Sequence, residues 1–138
     1  METSRGLRNN NPGNIRHSSD KFKGEIQPSK DPAFKQFEAM EYGYRAIFVI
    51  LRTYITKYNL TTVGEIITRW APPSENNTLG YIKAVCKHTG LSDVSTIDPR
   101  NSAQMQRLVR GISFVENGEP ADYEQVEQGW LLYSFGGK

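Results

Sequence analysis

Two histidines and one cysteine restrict the chemistry open to this 138-residue chain. His17 and His88 stand in unrelated contexts, with no Cys, Asp or second His at metal-ligand spacing, so no metal site is expected. No Ser/His/Asp or Cys/His constellation forms around them either. A single cysteine rules out an internal disulfide. Cys86 falls on the apolar face of an expected helix, where its role is that of a small buried hydrophobe. That leaves the carboxylates. Glu116 directly follows Phe114 and Val115 at the end of an apolar helical stretch. Partial desolvation and the negative end of the helix dipole both push a carboxyl pKa upward there, which is the setting of a general acid. The plainer reading is an exposed helix end capped by Asn117-Gly118.

The elements that must position such a group follow from the spacing of apolar residues. Gly6 to Asp20 is polar, with Asn9-Asn10-Asn11 followed by Pro12-Gly13-Asn14, a density of turn-formers that specifies tight backbone turns rather than a regular element. Ile15, Phe22, Ile26, Phe34 and Phe37, interrupted by Gly24, Pro28 and Pro32, suggest a small irregular β-hairpin. From Gly43 the apolar residues Tyr44, Ile47, Phe48, Leu51, Tyr54, Ile55 and Tyr58 recur at helical steps. Thr62 and Glu65 stand at capping-box spacing and open a short helix through Ile66, Ile67 and Trp70, which Pro72-Pro73 ends. A third helix is expected from about Thr78 to His88, with Asn76 and Asn77 at its start, Tyr81, Ile82 and Val85 inward and Gly90 as its cap. A fourth carries Met105, Leu108, Val109, Ile112 and Val115 up to Asn117-Gly118. A last helix starts near Asp122, with Gln125 in box position, and buries Val126 and Trp130; the tail Ser134–Lys138 is expected to fray. The fold class is therefore mainly α (α+β), a single domain over 1–138.

Composition excludes more than it selects. Hydrophobic residues make up 37% and charged residues 23%, as in an ordinary globular domain. Seven Tyr, six Phe and two Trp suit either a core or a sugar-binding cleft. The net charge is +2 and its Lys and Arg are scattered, so no nucleic-acid footprint is expected. Met1 to Leu7 holds no apolar signal segment, and the longest apolar run, Ala46 to Leu51, is too short to span a bilayer. The expectation is cytoplasmic synthesis without membrane insertion, and action at the cell wall or in a virion only after release or delivery.

The stretch Arg5 to Arg16, R-G-L-R-N-N-N-P-G-N-I-R, resembles the opening of a phage and prophage lysozyme-like family of virion structural proteins and peptidoglycan hydrolases. Phe34 to Ala46 (F-x-x-F, then G-x-R-A), Trp70 to Tyr81 (W-A-P-P-x-E-N-N-T-x-x-Y) and Glu116-Asn117-Gly118 follow in the same order. Phe22-Lys23-Gly24 stands where that family carries Trp-x-Gly. The order is also distantly similar to flagellar-type glucosaminidases, whose catalytic Glu lies on a helix before the Asn-rich segment. Here only a few residues precede Asn9, whereas Met105–Gly118 resembles the apolar helix ending in E-S-G of lytic transglycosylases.

The resemblance implies a lysozyme-like fold in circularly permuted order, with Glu116 as the catalytic acid. It implies that Asn11, Asn14, Arg16, Asn77 and Tyr81 line a substrate cleft. The activity implied is cleavage of β-1,4 bonds between the amino sugars of peptidoglycan glycan strands by a muramidase, glucosaminidase or lytic transglycosylase, without metal or other cofactor. A second carboxylate would come from Asp20, Glu25 or Asp31, or the substrate acetamido group would take its place. The alternative is a non-catalytic virion or envelope-penetration component of the same fold, whose partners include other virion or secretion-machine proteins.

Overall fold

In a computed structural model describing residues 3–136, the chain opens with one helical turn, α1 (Arg5–Arg8). The composition of this stretch suggested turns alone. Ser4 supplies the N-cap, its hydroxyl accepting from the Leu7 N–H, and the same hydroxyl donates to Asn117 Oδ1 at 2.7 Å. The turn is thus stabilised by docking on a distant part of the chain. Asn10 and Asn14 then take left-handed φ values of 52° and 49°, which Asn tolerates better than most residues. They fold the Asn-rich segment into a tight loop.

The hairpin exists in reduced form: β1 (Glu25–Ile26) pairs antiparallel with β2 (Gln36–Phe37), with Glu25 opposite Phe37 and Ile26 opposite Gln36. An isolated bridge between Arg16 and Phe34 and the bond from Lys35 N–H to Ile15 O (2.9 Å) attach the Asn-rich loop to it. Two buried ions brace this corner. The Lys35 ammonium, 1% exposed, meets Glu25 Oε2 at 3.0 Å and the Asp20 carbonyl at 2.9 Å. Burial pushes the Glu25 carboxyl upward, but hydrogen bonds from Gln27, the Phe22 N–H and Lys35 outweigh it and hold the group below its ordinary value.

Four longer helices and one short one complete the fold. The expected long helix is α2 (Met40–Tyr58), whose Tyr44, Ile47, Phe48, Leu51 and Ile55 are buried. α3 (Val63–Trp70) carries the complete Thr62/Glu65 capping box. α4 (Thr78–Thr89) begins at Asn77, whose side chain accepts from the Gly80 N–H, and ends on Gly90 at φ 79°. α5 (Ser102–Asn117) is capped by Asn101 and by Gly118 at φ 74°. α6 (Tyr123–Gly136) starts with Asp122 accepting from the Gln125 N–H at 3.0 Å and runs through the expected frayed tail, of which Gly137 and Lys138 lie outside the described residues.

α2 is the hub, packing along α6, while α4 packs on α5 and α3 on α4. The core formed by Phe48, Leu51, Ile66, Leu108, Ile112 and Val126 is continuous between these helices. Val126 is fully buried; Trp130 is half-buried and lies edge-on to Phe48 at 5.3 Å. Cys86 is half-buried beside the core rather than inside it. The protein is mainly helical with a small two-stranded antiparallel sheet. Among the described residues no helix is long and apolar enough to cross a membrane.

Candidate functional site

The C-terminal end of α5 meets the Asn-rich loop from the other end of the chain. Asn117 Nδ2 donates to the Pro12 carbonyl at 2.8 Å, and Ser4 donates to its Oδ1. Gly6 lies against this junction. A Cβ there would stand 2.6 Å from Asn117 Oδ1 and 2.8 Å from Asn14 Oδ1, so only glycine admits so close an approach. One residue before Asn117, the half-buried Glu116 faces the loop. Asn14 Nδ2 donates to its Oε1 at 2.9 Å, and the Tyr81 hydroxyl donates to its Oε2 at 2.7 Å.

These two donors differ in how they are held. Tyr81, near the start of α4, is 9% exposed, and the Trp70 indole N–H donates to its oxygen at 3.1 Å. Burial first, and then the adjacent Glu116 charge, push the phenol far above its ordinary pKa. Tyr81 therefore stays protonated and donates a hydrogen bond to Glu116. Asn14 is oriented otherwise: its Nδ2 donates to Glu116, and among the described residues its Oδ1 is buried with no partner. Leaving that acceptor unsatisfied costs free energy. The chain Trp70→Tyr81→Glu116 and the Asn14 amide fix the carboxyl from both oxygens.

Glu116 opens on a cleft of about 340 Å³, lined also by Asn14, Arg16, Phe34, Trp70 and Glu75. Arg16 is exposed at its edge, with its guanidinium 4.9 Å from the Phe34 ring centre. The half-buried indole of Trp70 packs against the core and also forms part of the wall. A Cβ on Gly13 would stand 2.9 Å from that indole, so the loop packs directly against it.

The residues expected to bind substrate thus separate. Asn14 and Arg16 line the cleft, and Tyr81 lies behind Glu116, touching it. Asn11 lies elsewhere: it is 0% exposed, its Nδ2 donates to Ile15 O and Lys35 O, and its Oδ1 accepts from Ile15 N–H. Its polar atoms are occupied in holding the loop to the hairpin. Asn77 is exposed and spent on capping α4, whereas its neighbour Asn76 reaches the cleft.

The hairpin supplies no second carboxylate to this cleft. Glu25 is paired with Lys35. Asp31 accepts 2.7 Å bonds from Arg5 Nε and Nη2, and this pairing holds its carboxyl far below the usual range. Asp20 lines a neighbouring cavity. Glu75, exposed in the Pro72–Asn77 turn, is the other carboxylate that lines the cleft among the described residues.

No family model matches the chain. Over 138 residues it is 38% identical to Protein P5 of Pseudoalteromonas phage PM2, an alignment that covers 96% of this chain and 84% of that protein. The chain belongs to the family of this phage protein.

Proposed function

We propose that this member of the phage Protein P5 family cleaves β-1,4 bonds between the amino sugars of peptidoglycan strands, with Glu116 as general acid. The observation that carries the reading is the seat of Glu116: a half-buried carboxyl in a cleft, held by Tyr81 and Asn14. A protonated carboxyl has one O–H and retains acceptor capacity on both oxygens. Asn14 can thus hold Oε1 while Oε2 keeps the Tyr81 bond and turns its proton toward the glycosidic oxygen. As the C1–O bond breaks, that proton passes to the leaving oxygen and positive charge develops on the sugar ring. Glu75, which lines the same cleft, supplies the second carboxylate, to activate a water or face the developing cation. Trp70 and Phe34 offer apolar faces to the sugars, and Arg16 offers hydrogen-bond donors at the edge.

The meeting of the Asn-rich loop with the Glu-bearing helix from the far end of the chain supports a circularly permuted lysozyme-like arrangement. Tyr81 belongs to this reading as a positioning residue. Asn11 and Asn77 belong to it only through the loop and helix they shape.

Kinship with a phage protein favours a second reading. The domain would be a virion or envelope-penetration component that holds the glycan, or other virion proteins, without cutting. Purified sacculi separate the two. Incubation followed by mass spectrometry of the supernatant should show soluble muropeptides, with reducing ends for a hydrolase and anhydro ends for a transglycosylase. Sedimentation with sacculi without release of fragments would establish the non-catalytic reading instead.

A further inference from the structure

A second cavity, of about 660 Å³, adjoins the Glu116 cleft and shares Ile15, Ile50 and Tyr54 with it, so that the two form successive stretches of one groove. Its lining includes Lys21, Arg45, Lys57 and Arg69, against Asp20 as the acidic side chain. Arg45 stands apart from the other three. It is 1% exposed, and its Nε and Nη2 are buried without a hydrogen-bond partner among the described residues. The comparison with Lys35 is direct: that cation is equally buried and has both Glu25 and a backbone carbonyl. No ion pair to Arg45 exists among the described residues. A buried, unpaired guanidinium is costly, and burial accordingly pushes its pKa below the ordinary value. Arg45 is also a lining residue of the cavity, so a group bound there is placed to supply the missing partner.

We propose that the Arg45 cavity is a subsite for a carboxylate carried by the acidic glycan strand that occupies the Glu116 cleft. The proposal rests on the glycan reading above and adds to it the anionic group recognised. The planar guanidinium fork matches a carboxylate, and in a desolvated site such a charge-assisted pair is strong. One buried cation calls for one negative charge, which a carboxylate brings, whereas a phosphate monoester brings nearly two. The exposed cations serve the approach. Arg69 lies 3.8 Å from the Tyr58 ring centre and 5.3 Å from that of Tyr54, and Lys57 lies 5.4 Å from Tyr58. These contacts place positive charge along the wall, where it attracts an anionic polymer. Tyr54 and Phe22 leave aromatic surface for the sugars between the two stretches.

The arginine side-chain Nε–H signals of the ¹⁵N-labelled full chain report on this directly. The probes are a tetrasaccharide of alternating N-acetylglucosamine and N-acetylmuramic acid with free lactyl carboxylates, neutral chitotetraose, sodium lactate and inorganic phosphate. The acidic tetrasaccharide should move the Arg45 signal and bind about tenfold tighter than chitotetraose, with Arg45→Met reducing it to the neutral sugar's affinity. Equal binding of both sugars by the wild type, or an equal loss of both in Arg45→Met, would overturn the proposal. Arg45→Lys, which keeps the charge and loses the fork, should also lose the preference and serves if Arg45→Met fails to fold. If neither sugar binds, the glycan reading falls on its own. Lactate then decides the subsite: a shift of Arg45 Nε–H by lactate and not by sodium chloride sustains a carboxylate site, and no shift removes it. A larger shift with phosphate than with lactate would overturn the carboxylate assignment.

Discussion

The hydroxyl of Tyr81 and the carboxyl of Glu116, 35 residues apart in sequence, are joined by a 2.7 Å hydrogen bond in which the phenol is the donor. Desolvation keeps that phenol protonated, and the Trp70 indole N–H occupies its acceptor side. Tyr81→Phe should leave an oxygen of Glu116 and the Trp70 N–H without their partner. The expected loss of stability is about 1–3 kcal/mol in urea unfolding. Release of muropeptides should fall by up to about 100-fold, the scale for a misplaced reacting group.

Asn14 separates backbone from side-chain effects, because its φ of 49° favours Asn or Gly. Asn14→Gly and Asn14→Ala both remove the amide that holds Glu116 Oε1, so both should lose activity to a similar extent. Only the alanine variant adds left-handed strain, of about 1–2 kcal/mol. Thermal or urea melts should therefore rank Asn14→Ala below Asn14→Gly.

The hub of the fold is α2. Leu51, 0% exposed at its centre, meets core residues contributed by the neighbouring helices. Leu51→Ala should cost about 2–5 kcal/mol in urea unfolding, the range for a leucine cavity in a packed interior. A loss below about 1 kcal/mol would show a core far looser than the native density assumed for it.

The Arg5–Asp31 pair gives a pH test. Asp31 has a folded-state pKa far below its ordinary 3.8, chiefly because of the hydrogen bond from Arg5. A depressed carboxyl contributes stability that is present above the unfolded value and is lost as pH falls toward the folded one. The melting temperature of the wild type should therefore exceed that of Asp31→Asn at neutral pH. The difference should begin to shrink below about pH 4 and continue shrinking toward pH 2, as the unfolded carboxyl takes up its proton. A difference that grows on acidification would contradict the pairing.

The helices were legible because their signals are local: the apolar recurrence from Tyr44 to Tyr58, the Thr62/Glu65 capping box, and the glycines at 90 and 118 each act within a turn or two of chain. The features that were not legible depend on contacts remote in sequence. α1 forms because Ser4 and Gly6 dock on Asn117, which no reading of Arg5–Arg8 reveals. Asn11 and Asn14 are the same residue type three positions apart, yet the turns send one into the loop interior and the other to the cleft. Glu75 is exposed, and its place on the rim of the Glu116 cleft depends on residues from the Asn-rich loop and α5 that are remote in sequence. Arg45 sits between Tyr44 and Ala46 on a helix whose periodicity gives no sign that its guanidinium is buried in a cavity wall. The placement of Glu116 beside the Asn-rich loop was accessible for the opposite reason: an acid ending an apolar helix is a local pattern, and the resemblance named the loop.

The most direct test is the rate at which wild type and Glu116→Gln release soluble fragments from purified sacculi, with both proteins shown to fold by circular dichroism. Glutamine keeps the shape of the side chain but has no acidic proton to give. The rate should fall by at least about 100-fold, the scale of general acid catalysis. Equal release by both proteins, or no release by the wild type, would contradict Glu116 as the acid that cleaves the glycan.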